Sequence, residues 1–305
     1  AFLEWHGPIQ ALNGLIVWYQ RPISGLTEIT GLFSNPNYLG CWLIIVWPFS
    51  LASFFRKDNH SIKKVINLLF IIFIILSIVF CASRGAWLGL FFSIPLFFGI
   101  KSFKWFIPFL IFIGSIFFSI FIPIFGNYLQ GLIKDIIPFG IWSNFDFSIY
   151  SEDISRIDIW QNALNMIYKH PFFGSGFSSF PDYIMSQTGS WKAHSHNLVL
   201  ELMLSYGIPA ALFILVPFTL LIKSAYKKIF IDKRFFLSEN IFDRSWIISI
   251  TLLALIHLVD IQYFDGRISI AGWILLAGIR NIIKDDLTKK NYRINGLIDN
   301  YKVSK

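Results

Sequence analysis

From residue 38 onward the chain alternates long apolar runs with short polar connectors. The runs cover 38–55, 65–83, 86–100, 105–125, 197–222, 245–260 and 268–283. Each is roughly 15 to 26 residues long, against about 20 for a helix that crosses the hydrocarbon of a bilayer. They are too long and too continuous for core strands or amphipathic surface helices. Residues 1–20 read as the end of another helix, interrupted by Glu4, His6 and Pro8. Between the fourth and fifth runs lies a polar island of about seventy residues, 126–195, far longer than an ordinary connection. Within it, Ile157, Trp160, Ala163, Leu164 and Ile167 recur at helical spacing, which predicts an amphipathic helix. The pattern therefore predicts an all-α integral membrane protein. It is a polytopic bundle of about seven spans plus a partial N-terminal one, with a large outward-facing loop containing short helices. Its parts are N-terminal membrane helices (1–125), the large loop (126–196), C-terminal membrane helices (197–283) and a charged tail (284–305).

Composition sharpens this picture. Of 305 residues, 55% are apolar and 14% charged, which excludes an ordinary soluble domain. The formal net charge of +8 does not mark a nucleic-acid binder, because the basic residues lie between apolar runs and no base-reading motif is present. About nineteen Lys and Arg fall on one side of the predicted topology and about seven elsewhere, so the richer side is cytoplasmic. The large loop then faces outward and the C-terminus inward. Cys41 and Cys81 sit in apolar runs and read as small buried hydrophobes; a disulfide between them has no sequence support. The chain starts at Ala1 with no basic stretch ahead of an apolar run, so a truncated or excised chain is expected.

Candidate chemistry gathers at the outer ends of the spans. Arg84 lies in Ser83-Arg84-Gly85, where two runs join with almost no loop, and a guanidinium fixed there suits a diphosphate. Arg156 opens the loop helix, where a cation opposes the helix dipole and so calls for another partner; Asp158 and Glu152 are the local candidates. His194 and His196 stand two apart, a weak metal signature, and no metal is expected. A neutral imidazole at the end of a helix is a plausible general base. Asn197 is placed to cap the helix that follows, and Glu201 lies one turn further on. His257 and Asp260 are spaced to pair with each other, with Asp265 and Arg267 nearby. Gly174-Ser175-Gly176 reads as a turn, not a phosphate loop. Asn35 and Pro36 form a cap and first turn for the first span.

With those residues in view, the chain resembles the O-antigen ligase and O-antigen polymerase superfamily. The resemblance rests on residues 31–40, Ser83-Arg84-Gly85-Ala86-Trp87, Arg156 through Trp160, His170-Pro171-Phe172-Phe173-Gly174-Ser175-Gly176-Phe177, and His196-Asn197-Leu198 leading to Tyr206-Gly207-Ile208. The ending around Tyr263–Ser269 and Trp273–Gly278 is similar to a cyanobacterial branch labelled inorganic carbon (bicarbonate) transporters. The resemblance implies a C-terminal portion of a longer protein in a bacterial inner membrane. It also implies a metal- and cofactor-independent transfer of a glycan from an undecaprenyl-diphosphate carrier to a glycan or lipid acceptor on the outer face. On that footing Arg84 and Arg156 hold the leaving diphosphate, His196 takes the acceptor proton, and Asn197 and Arg267 join Arg84 and Arg156 in binding substrate. A transporter of bicarbonate or another small anion is the alternative, with Arg84, Arg156 and Arg267 lining its path. A scaffold role in polysaccharide assembly is a third.

Overall fold

A computed structural model of the protein describes residues 8–11, 16–19, 29–33, 35–56, 61–99, 102–118, 127–136, 154–232 and 241–303. Glu152, the end of the fourth expected span and the first seven residues lie outside the described residues. The partial N-terminal span is corrected. Strands β1 (Pro8–Ala11) and β2 (Ile16–Tyr19) pair antiparallel, with Pro8 opposite Tyr19 and Ala11 opposite Ile16. Pro8 disfavours a helix interior, Ile16-Val17-Trp18-Tyr19 is strand-favouring, and Asn13-Gly14 between them is a hairpin signal in sequence.

The other regular elements among the described residues are helices. The order is α1 (Pro36–Phe55), α2 (Ser61–Phe80), α3 (Arg84–Phe98), α4 (Phe103–Phe118), α5 (Asn127–Ile136), α6 (Arg156–Lys169), α7 (Phe180–Thr188), α8 (Leu198–Tyr206), α9 (Ile208–Tyr226), α10 (Ile241–His257) and α11 (Gly266–Val303). Among the described residues, four helical stretches are long and apolar enough to cross a membrane: Pro36–Phe55, Ser61–Phe80, Ile208–Phe230 and Gly266–Lys284. Helices α3 and α4 are apolar but shorter. The protein is thus an all-α membrane protein apart from its short hairpin. Helix α11 runs on through the charged tail to Val303.

Helix α10 sits at the centre of the bundle, packed on α1, α3, α9 and α11. Its buried serines tie it to α1: Ser245 Oγ donates to the Pro48 carbonyl (2.8 Å) and Ser249 Oγ to that of Ile45 (2.7 Å). Trp47 Nε1 of α1 donates to Ser93 Oγ of α3 (2.9 Å). Such interhelical bonds hold where apolar burial gives little drive between helices in lipid. Gly40 lets α1 approach the α2–α3 turn; a Cβ there would stand 2.8 Å from Ala86 Cβ and 3.0 Å from Ser83 Cβ. That contact seats the turn that carries Arg84. The turn itself is made by Ala82, whose φ of +52° lies in the left-handed region, while Gly85 falls inside the first turn of α3. Cys41 and Cys81 are both buried, and Cys81 Sγ donates to the Ile78 carbonyl (3.1 Å).

The run 197–222 is two helices, not one. It breaks at Gly207 (φ +86°), with Pro209 in the first turn of α9. Helix α8 packs on α6 of the loop, sharing a small core in which Ile159, Ala163, Met166, Phe180, Ile184 and Leu204 are buried. The break is where the segment 170–176 docks. Ser175 N–H donates to the Leu204 carbonyl (2.7 Å), Gly176 N–H to Ser205 (3.1 Å) and Ile208 N–H to Pro171 (2.8 Å). Two left-handed glycines face each other there. A Cβ on Gly207 would lie 2.2 Å from the Phe172 oxygen, and one on Gly174 (φ +70°) 2.6 Å from the Ser205 carbonyl. Only glycine permits both the backbone angle and the approach.

Candidate functional site

Three of the residues singled out in the sequence converge on one short turn, Leu258–Asp260, that follows α10. Arg156 Nη1, from the start of α6, donates to the Val259 carbonyl. Asn197 Nδ2, from the cap of α8, donates to the Leu258 carbonyl (3.0 Å). His196 Nδ1 meets Asp260 Oδ1 at 2.8 Å. The turn offers those carbonyls because a helix C-terminus leaves its last acceptors unpaired and carries partial negative charge. Arg156, badly placed for its own helix dipole, finds its compensation at the end of another helix.

His196 has a φ of +54°, an uncommon conformation for a residue with a Cβ. It is held from both sides. Before it, Ser195 donates through both N–H (2.9 Å) and Oγ (2.8 Å) to Oε2 of buried Glu201. After it, Asn197 Oδ1 accepts the N–H groups of Val199 (2.9 Å) and Leu200 (3.1 Å), capping α8 as the sequence predicts. The hydrogen bonds place a proton on each ring. A carboxylate only accepts, so His196 Nδ1 carries a proton toward Asp260. His194 Nδ1 accepts the His196 N–H (3.2 Å), so the His194 proton sits on Nε2.

The charges agree with these assignments. Burial, then the neighbouring His196, push His194 down to about 4 against the pull of Asp260, so its ring is neutral at physiological pH. Burial works to raise the Asp260 carboxyl, but the hydrogen bond and charge of His196, with His194 and Arg156, outweigh it and hold the group below its usual range. Asp260 also accepts from Ile261 N–H (3.0 Å) and Gln262 Nε2 (2.9 Å), which fix its orientation. Burial lowers the Arg156 guanidinium below its ordinary value; Asp260 opposes this and the nearby charge of Arg84 adds to it. Burial pushes the Glu201 carboxyl up against the pull of its Ser195 hydrogen bonds.

Arg84 and Arg156 are thus electrostatic neighbours, with Arg156 beside the His196–Asp260 pair. Two guanidinium charges against one carboxylate favour an anion with several oxygens. Among the described residues, His194, His196 and Asp260 present ligand atoms within 4.8 Å of one another, the spacing of a three-ligand cation site. His196 and Asp260 are already paired, however, and the Arg156 charge beside them opposes a cation.

Not every expected residue joins the cluster. Arg267 is held by Asp265, with Nε at 2.9 Å from Oδ1 and Nη2 also bonded to Oδ2; Nη1 donates to the Leu32 carbonyl (2.6 Å), and the guanidinium lies 4.0 Å over the Phe33 ring. It braces the approach to α1. His257 does not pair with Asp260 as its spacing suggests; its Nδ1 meets the Leu253 carbonyl at 2.9 Å. Asp260 as the partner of His196, and Glu201 as the clamp on Ser195, are among the connections that sequence reasoning missed. Both residues stood out as acidic groups near helix ends, but the Asp260 contact spans sixty-four positions and has no local signal, and the Glu201 clamp depends on the turn at His196.

No curated protein matches the chain significantly. Residues 69–215, just under half of its length, match the family model described as O-antigen ligase (Wzy_C). That stretch runs from α2 into α9 and contains Arg84, Arg156, His194 and His196, so this part of the chain is similar to the O-antigen ligase family.

Proposed function

We propose that this membrane protein transfers a glycan from an undecaprenyl-diphosphate carrier to an acceptor hydroxyl at the outer face of the bacterial inner membrane. The observation that supports this reading most directly is the His196–Asp260 pair, with Arg156 tied to the same turn. In the reaction the acceptor oxygen attacks the anomeric carbon while the bond from that carbon to the diphosphate oxygen breaks. His196 Nε2 takes the acceptor proton, and Asp260 stabilises the imidazolium that results. Arg84 and Arg156 neutralise the charge that grows on the departing undecaprenyl diphosphate. No residue in this scheme needs a metal, because two guanidinium groups serve the leaving group directly. Asn197 and Glu201 position the base: their polar atoms are engaged in the cap and the clamp.

The test uses a strain deleted for the full-length gene, restored with wild type or His196→Ala at matched membrane levels. Wild type should restore long surface glycans, while His196→Ala should leave the lipid-linked precursor accumulating. Surface glycans unchanged by the deletion itself would overturn the transferase reading and direct attention to labelled bicarbonate uptake.

A further inference from the structure

A contiguous strip of rings leads away from the base. The His196 and His194 rings stand 4.4 Å apart at 65°. His194 stacks on Phe264 at 5.5 Å and 28°, and Phe264 leads to Phe177 at 6.3 Å and 56°. The far end of the strip is open, with Phe264 39% and Phe177 61% exposed. An aromatic ring so exposed on a surface turn loses apolar burial unless something covers it. The turn that carries Phe177 is held firmly. Gly176 (φ +94°) and Ser178 (φ +63°) shape it, Ser179 Oγ closes it on the Gly176 carbonyl (2.7 Å), and Ser175 and Gly176 anchor it to the end of α8.

We propose that Phe177, Phe264 and His194 form the binding subsite for a pyranose ring of the acceptor. The inference rests on the transfer reading above and names the substrate class at that same site. The hydroxyl that His196 deprotonates belongs to the acceptor, so the acceptor ring lies within a few bonds of the start of the strip. A pyranose has a face of C–H groups that packs on aromatic rings and an edge of hydroxyls. His194 supplies the matching polar group, a neutral Nε2–H donor to a sugar oxygen. The three residues come from connecting segments outside the spans, whereas a polyprenyl tail stays with the bilayer. The acceptor is therefore a sugar, free or lipid-linked, and not a simple lipid hydroxyl or a protein side chain.

The test uses the full chain in lipid nanodiscs. Free oligosaccharide, released by mild acid from the undecorated acceptor fraction of the producing strain, serves as the binding probe. Saturation-transfer NMR with irradiation of aromatic protons should light the sugar C–H signals in wild type and lose them in Phe177→Ala. In turnover with the extracted lipid-linked donor and the undecorated acceptor fraction of the same strain, Phe177→Ala should raise the acceptor KM by about three- to tenfold while the donor KM holds. Phe177→Trp should retain binding and Phe177→Leu should resemble Phe177→Ala, because leucine offers apolar area without a ring face. A Phe177→Ala variant unchanged in both measurements, or one that raises the donor KM and is rescued by leucine, overturns the subsite. Saturation transfer that depends on Phe177 in a protein showing no transfer would retain the sugar subsite and reject the transferase reading.

Discussion

Replacing Asp260 by Asn isolates the electrostatic part of the proposed mechanism. The carboxylate lies 2.8 Å from His196 Nδ1, and its other contacts are Ile261 N–H and Gln262 Nε2. Asparagine can keep this geometry: its oxygen serves His196 and Ile261, and its amide donates to Gln262 once that side chain turns over. Gln262 Oε1 is buried without a hydrogen-bond partner, so turning the amide satisfies that oxygen while Nε2 gives up its present acceptor, one bond replacing another. What is lost is the negative charge that meets the imidazolium during proton transfer. A charge pair about 4 Å apart is worth about 4 kcal/mol at an effective dielectric of 20. The two side chains are 25% and 16% exposed, and solvent screening reduces this to about 2–3 kcal/mol. At about 1.36 kcal/mol per tenfold, kcat/KM should fall by about 30- to 150-fold. Initial rates with extracted lipid-linked donor in nanodiscs measure it, with thermal unfolding as the control for folding. Asp260→Ala, which also frees the imidazole to rotate, should be worse. Rates of Asp260→Asn within threefold of wild type, or equal rates for both variants, would refute the charge argument.

Two further outcomes follow from the geometry. Gly207→Ala forces a Cβ to 2.2 Å from the Phe172 oxygen at a φ of +86°, so backbone strain and overpacking together should cost about 3 kcal/mol or more, seen as a large drop in Tm; an unchanged Tm would mean that the 170–176 segment does not dock on the helix break. His194 supplies a pH signature: unfolded, it binds a proton below about 6.5, but folded it stays neutral down to about 4. The unfolded state thus binds more protons between those values, and stability falls as pH drops from 6.5 toward 4. In His194→Gln the Tm should fall less steeply across that window, and an unaltered slope would count against the burial of a neutral His194.

The bundle was legible because apolar runs of span length have few other uses. The caps at Asn35 and Asn197 were legible because a side-chain oxygen ahead of a helix is a local signal. The N-terminal hairpin was misread because apolar content outweighed Pro8 and Asn13-Gly14, which are the better local evidence. The break at Gly207 was hidden for a related reason. Glycine and proline are tolerated inside apolar helices, as Pro48, Pro95 and Pro217 show here, so Gly207-Ile208-Pro209 carries no stop signal without knowledge of what docks on it. Position 82 inverts the usual expectation. Gly85 was the natural residue for a tight turn, yet Ala82 takes the left-handed angle and Gly85 is helical.

The site itself is a junction between two packed units. Arg84 and the turn 258–260 belong to the membrane bundle, while Arg156 and the segment 194–197 are carried by the loop helices and their small core. Across the join run the bonds of Arg156 to Val259, Asn197 to Leu258 and His196 to Asp260. Each is modest alone, but they share one turn, so a shift of the loop core by an ångström or two would break all three together. The glycine contact at 174 and 207 resists that shift, because it fixes the loop to the point where α8 becomes the membrane helix α9. Damage at Gly207 should therefore be felt at His196, and the motif His170–Gly176 is explained by its contacts as the bracket that holds His196 and Arg156 in register.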